Sequence, residues 1–282
     1  MKHSKRWATA RMLLAGGAVA AVVACQTVQT TAPGTVGIDR KQTVSPLVDR
    51  SQLTQAAALE YRQTLDAAST KGQLDQNKAM TERVQRIAGR LIPQTAVFRP
   101  DAQQWKWETH VISSSELNAW CMPGGKIAVY SGLIDKLKLT DDEIAAVMGH
   151  EIAHALREHA WERASQAANA NLGMSIAGAL LGVGGGGMDM AGMAYQVMFE
   201  LPNSRGQETE ADRIGVELAA RAGYDPRAAV TLWQKMGQAD SGGAPPKFLS
   251  THPPSAERQA DLANYAQRVM PLYESARGRA TK

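Results

Sequence analysis

Gly149-His150-Glu151-Ile152-Ala153-His154 stands about two turns into a run that begins at Thr140 and repeats apolar residues at helical spacing through Ile144, Val147 and Met148. At roughly 100° per residue, His150 and His154 fall about 40° apart on one helix face, so both imidazoles can reach one ion, with Glu151 beside them. Thr140 and Glu143 form a capping-box pattern ahead of the apolar residues, which places the motif inside a well-started helix. Two neutral imidazoles suit Zn²⁺, and a free carboxylate alongside suits proton transfer from a water on that ion. A chance His-Glu-x-x-His is expected in roughly one sequence in 150 of this composition, and the helical context lowers that further.

A catalytic zinc commonly takes three protein ligands and one water, so a third donor must come from elsewhere. A further histidine at 160 is ruled out, because the chain has Arg157 and Ala160 where that pattern needs Gly and His. His159, about 140° around a continuing helix from His154, is expected on the surface. The better donor is in Glu208-Thr209-Glu210-Ala211-Asp212, which opens a helix behind a second capping-box pattern, Ser204 to Gln207. Glu208 and Asp212 share a face and Glu210 points away, giving Glu208 as the ligand and Asp212 as the carboxylate that orients a ligating histidine.

Working outward, helical spacing covers residues 51–70 and 76–91, and closing helices are expected over 226–237 and 255–270. Residues 105–112 alternate as a half-exposed strand, with His110 read as a solvated strand residue. Asn118 to Met122, the turn Pro123-Gly124-Gly125 and Lys126 to Tyr130 form a hairpin whose edge at Asn118, Ala119 and Trp120 could take an extended peptide. The glycine-laden stretch 172–198 lies between the two ligand-bearing helices and is read as a flap over the cleft.

Lys2, Lys5, Arg6 and Arg11 precede an apolar run of about a dozen residues ending at Val22-Val23-Ala24-Cys25, the pattern of a secretory signal. That core is too short for a spanning helix, which needs about 20 residues. Small residues before Cys25 resemble a bacterial lipobox, which implies an acylated Cys25; Gln26 beside it implies the outer membrane. Without residues 1–24 the 31 Lys/Arg fall to 27, equal to the 27 Asp/Glu, so the net charge of +4 belongs to the targeting segment and no nucleic-acid footprint remains. Cys121 is the other cysteine and is expected to be a buried small hydrophobe. The expected organisation is a signal peptide at 1–24, a flexible tether at 25–50, one domain at 51–270 and a tail at 271–282.

Taken together, His150-Glu151-Ile152-Ala153-His154, the hairpin with its Pro-Gly-Gly turn, Glu208 to Asp212 and a later Thr251-His252-Pro253 resemble the HtpX and CAAX-prenyl-protease family of gluzincin metallopeptidases. The periplasmic LoiP- and BepA-like and the mitochondrial OMA-type members look most similar. The resemblance spans roughly residues 75–265. It implies an α+β fold, a mostly helical zincin-type domain with a small sheet beside the active-site helix. It also implies one Zn²⁺ per chain on His150, His154 and Glu208, with Glu151 as catalytic base and Asp212 behind a histidine. For His252 it implies a gate, a fourth ligand or an oxyanion donor. The implied activity is endopeptidase action on unfolded or misassembled envelope proteins, from an outer-membrane lipoprotein facing the periplasm. A chaperone-like assembly factor with a latent or structural zinc site is the competing reading. Two departures are evident: spanning helices of HtpX type are missing, and residues 266–282 leave no room for the helical-repeat domain of BepA-like members.

Overall fold

The computed structural model describes residues 25–181, 190–239 and 246–280. The expected signal peptide, 1–24, lies outside them. In chain order come strands β1 (Gln26–Val28) and β2 (Gln42–Val44), helices α1 (Arg50–Thr70) and α2 (Lys78–Leu91), and strands β3 (Glu108–Ile112), β4 (Ala119–Met122) and β5 (Lys126–Tyr130). Helices α3 (Ser131–Leu137), α4 (Asp141–Leu156), α5 (His159–Leu181), α6 (Met190–Phe199), α7 (Arg205–Arg221), α8 (Ala228–Ala239), α9 (Lys247–Thr251) and α10 (Ala256–Ala280) follow. The architecture is the mostly helical α+β arrangement expected, with a small sheet against α4.

The three-stranded sheet has the order β3-β5-β4. β4 and β5 form the expected antiparallel hairpin, Ala119 opposite Val129 and Met122 opposite Lys126. Its turn has Gly124 and Gly125 both at φ +83°, a conformation that side chains rarely adopt. β3 runs parallel to β5 on the far side, which leaves β4 as an edge next to α4.

The helix carrying the paired histidines, α4, and the one carrying the acidic cluster, α7, form the most extensive helix pair of the fold. Both expected capping boxes are present: Thr140 with Glu143 starts α4, and Ser204 with Gln207 starts α7. Each box satisfies two backbone donors that a helix start leaves unpaired. The two helices cross at a glycine pair. A Cβ on Gly149 would lie 2.8 Å from the Gly215 carbonyl oxygen, and one on Gly215 would lie 2.7 Å from the His150 nitrogen. Backbone-on-backbone contact at this crossing brings the ligand-bearing faces within reach of a single ion.

Two expectations change here. Residues 26–50 do not behave as a loose tether. β1 pairs with β2, and Val36 and Ile38 are buried in the main core. Each such side chain contributes about 1.5–3 kcal/mol by leaving water. Arg40, from the same strap, bonds Glu162 and Glu210. The Thr, Gln, Gly and Pro content that suggested a linker supplies turns and buried polar contacts instead. The tail expected at 271–282 also differs, since α10 continues through Pro271 to Ala280. Of the expected flap, α5 runs on to Leu181 and α6 packs Met193, Ala194 and Val197 against α1 and α5; residues 182–189 lie outside the described residues. Cys121 is buried, as expected.

Candidate metal centre

α4 presents His150, Glu151 and His154, α7 presents Glu208, and His252 follows directly on α9. His150, His154, Glu208 and His252 place one ligand atom each within 4.8 Å of one another, all four side chains buried. The Nε2 atoms of His150 and His154 are 3.0 Å apart. Glu208 Oε2 lies 3.6 Å from the first and Oε1 3.3 Å from the second. Ligands bound at about 2.0–2.1 Å around a tetrahedral Zn²⁺ stand about 3.3 Å apart, so these spacings fit that ion. A second observation supports the fit. Burial, with Asp212 close by, pushes the Glu208 carboxyl up to about 7 against the opposing pull of His150 and Arg258. Burial also pushes Glu151 up to about 8, with Glu208 adding to the rise and His150 opposing it. A dication would relieve both carboxylates.

Behind each histidine stands a different support. His150 Nδ1 faces Asp212 Oδ1 at 3.0 Å. Asp212 is in turn gripped by Arg258, whose Nε donates to Oδ2 at 2.7 Å and whose second nitrogen donates to Oδ1 at 2.8 Å. Burial would raise the Asp212 carboxyl, but His150 and Arg258 hold it below the ordinary carboxylate range. Arg258 also reaches Glu208 Oε2 at 2.8 Å and lies 4.0 Å above the Trp233 ring. Sequence reasoning missed Arg258, for α10 carries no spacing signal that ties it to a cluster 46 residues earlier.

His154 Nδ1 lies 2.8 Å from His159 Nδ1, and His159 Nε2 lies 3.0 Å from Glu210 Oε2. His159 is thus fully buried, correcting its expected surface position. The helical-wheel estimate failed because α4 ends at Leu156 and Glu158 takes φ +53°, so α5 starts in a new direction. Glu158 is held there by Arg50 and Arg99. Proton bookkeeping along the row is unambiguous. If His154 offers its Nε2 lone pair to a metal, its Nδ1–H donates to His159, and His159 Nε2–H donates to Glu210. Glu210, read as pointing away from the metal, indeed faces Arg40, Arg157 and His159.

His252 turns its Nδ1 to the Phe248 carbonyl at 3.1 Å and to Thr251 Oγ1 at 2.9 Å, and stacks on the Phe248 ring at 4.3 Å. Its Nε2 therefore faces the centre, 3.4 Å from Glu151 Oε1 and 4.0 Å from Glu208 Oε1. Glu151 Oε1 takes no hydrogen bond. A partly open cleft reaches Glu151 and His252 from outside, walled by Asn118, Ala119, Trp120 and Cys121 of the sheet edge and by Met198 and Phe199 of α6. His110 is half-buried and pairs with Asp75 at 2.6 Å, away from the cluster. Cys25 is exposed beside Asn169 of α5.

Comparison with known proteins agrees with this geometry. The chain is 38% identical to the mitochondrial metalloendopeptidase OMA1 of Arabidopsis thaliana over 169 residues, 59% of this chain and 33% of that protein. It is 33% identical to the OMA1 protein of Saccharomyces cerevisiae over 176 residues, 60% of this chain and 50% of that one. It is 31% identical to the beta-barrel assembly-enhancing protease of Escherichia coli (strain K12) over 172 residues, 57% and 35% respectively. The chain thus spans between a third and a half of the length of these relatives. The family model for peptidase family M48, a zinc-dependent group, matches residues 78–266, which include every member of the His-His-Glu-His cluster, and the chain belongs to that family.

Proposed function

We propose that this chain is a zinc metalloendopeptidase that cuts unfolded or strand-exposing polypeptides. The observation that carries the reading is Glu151: buried, without a hydrogen bond at Oε1, and placed between the His-His-Glu-His cluster and a partly open cleft. A bound Zn²⁺ would supply Lewis acidity to the scissile carbonyl and acidity to its water. Glu151, facing both the cluster and the cleft, is placed to take a proton released at the metal position and to hand it to the departing amine. The substrate lies extended along the free edge of β4, its backbone extending the sheet while side chains alternate into the cleft. His252, its Nδ1–H anchored on the Phe248 carbonyl, turns the lone pair of Nε2 to the centre and is positioned to gate the fourth coordination position rather than to donate to an oxyanion.

The proposal extends to location: acylation at Cys25 anchors the chain in the outer membrane facing the periplasm, where misassembled envelope proteins are its substrates. Among the described residues no helix is long and apolar enough to cross a membrane. Labelling with a palmitate analogue checks this; incorporation lost in Cys25→Ala supports it, and equal labelling contradicts it.

One observation favours a second reading. His252 lies close enough to close the coordination sphere, and a four-ligand site suits a structural zinc in a chaperone-like assembly factor. Incubation with unfolded casein separates the two. Cleavage that is lost in Glu151→Gln while zinc content persists supports the hydrolase. Equal behaviour of both proteins supports the assembly factor. Faster cleavage in His252→Ala would identify His252 as a gate.

A further inference from the structure

Arg163 is the one strongly buried cation of the cleft that has no carboxylate within ion-pair reach among the described residues. It lies on α5, is 9% exposed, and lines the same cleft as Glu151, His154 and His252. Its terminal nitrogens donate only to neutral acceptors, the Asn203 side-chain oxygen and the Val197 carbonyl, and Nε has no partner. A buried charge left unpaired in this way costs several kcal/mol unless something else in the working state compensates it.

Among the described residues no carboxylate pairs with it. Glu158, on the cleft wall, is taken by Arg50 and Arg99. Glu162 and Glu210 are neutralised by Arg40 and Arg157. Around the metal position remain Glu151, Glu208 and Asp212, with Arg258 and Arg163 opposing them. With the histidines neutral, a bound Zn²⁺ and two guanidinium groups carry four positive charges against three carboxylates. Peptide hydrolysis moves a proton from water to Glu151 to the amine and leaves that total unchanged. One positive charge is therefore in surplus throughout the reaction, and Lys247, on the cleft rim, adds to it.

We infer that Arg163 is a specificity residue which receives a carboxylate of the polypeptide substrate, so that the cleft selects chains with an acidic group within a few residues of the scissile bond. The inference rests on the proposed peptidase reading and adds a substrate class to it. Arg163 supplies a forked donor on the cleft wall, and a carboxylate there would exchange its two neutral acceptors for a charge-assisted pair. The carboxylate comes from an Asp or Glu side chain or from a chain end.

The test uses the full zinc-loaded chain. A casein-derived peptide spanning a mapped cleavage site is made amidated, with Glu or Gln at each position from three before to three after the scissile bond, and once with a free C-terminus. Affinity is read by fluorescence anisotropy on Glu151→Gln, which binds without cutting, and kcat/KM on the unmodified chain. We expect one position at which Glu binds about tenfold better than Gln or more. That ratio should fall to within about twofold when Arg163→Met is added and survive largely in Arg163→Lys, whose thermal stability controls for the contacts to Val197 and Asn203. A gain confined to the free C-terminus would assign the carboxylate to a chain end. Equal affinity for Glu and Gln at every position, or a preference unaltered in Arg163→Met, overturns the inference. Failure to cut casein or any peptide overturns the peptidase reading instead. The role of Arg163 is then decided by the same Glu-to-Gln ratio on an amidated casein peptide chosen by its binding to Glu151→Gln, and the absence of such a peptide, or a ratio near one, overturns the inference.

Discussion

At the residue scale, the paired histidines of α4 rest on unlike supports, and the difference has a measurable consequence. His150 leans on Asp212, a carboxylate itself clamped by Arg258, whereas His154 leans on a neutral histidine that passes the proton's orientation on to Glu210. Groups that orient ligating imidazoles are worth about 10–100-fold in metal affinity. His159→Ala is accordingly expected to weaken zinc binding by roughly that factor in a chelator competition, with the fold retained; unchanged affinity would show that His154 needs no such support. His150, Glu151, His154, Glu208 and Asp212 were legible because their chemistry follows a helical period within short segments. Arg258 and His159 were not. The first depends on a contact between distant elements, and the second on one left-handed residue, Glu158, that no periodicity announces.

At the scale of elements, the capping boxes, the hairpin and the closing helices all follow from local rules and were readable. The strap formed by residues 26–48 was not, because its burial depends on a groove made by α4, α5 and α7 that local composition does not describe. The crossing of α4 and α7 at Gly149 and Gly215 is likewise invisible in sequence. Alanine favours a helix interior over glycine by about 1 kcal/mol, so Gly215→Ala should stabilise α7 taken alone. Here the added methyl group meets backbone at 2.7 Å, where no side chain can rotate away. The expected outcome is a net loss of about 1–3 kcal/mol in denaturant unfolding, together with weaker zinc binding as Glu208 is displaced from the paired histidines. A variant as stable as the parent with full zinc affinity would contradict this account of the crossing.

For the molecule as a whole, the buried polar row beside the metal centre makes stability depend on pH. Burial holds His159 down at about 4 although Glu210 pulls it up. Burial would raise Glu210, yet hydrogen bonds from His159 and Arg40 hold it at about 2. In both cases the unfolded chain binds a proton that the native state refuses. The contribution of this pair is therefore full above about pH 6.5, falls through pH 4 as the His159 part is lost, and falls again between about pH 4.5 and 2 as the Glu210 part is lost. His154 and His252, also held low, act in the same direction; His150, raised by Asp212 and Glu208 against its burial, opposes them. In metal-free protein so do Glu208 and Glu151, which burial pushes up to about 7 and about 8 and whose contribution is lost as pH rises through those values. In chelator-treated protein, the stability difference between the parent and His159→Gln should shift against the parent as pH falls from about 6.5 to 4; a difference constant with pH would remove His159 from the explanation. The central claim remains the convergence of His150, His154 and Glu208 on one zinc. Zinc-edge X-ray absorption on the stoichiometrically loaded chain tests it most directly. The account predicts one zinc per chain with nitrogen and oxygen neighbours at about 2.0–2.1 Å, including at least two imidazoles, and no sulfur. A sulfur neighbour at about 2.3 Å, or a spectrum unchanged by Glu208→Ala, would contradict it.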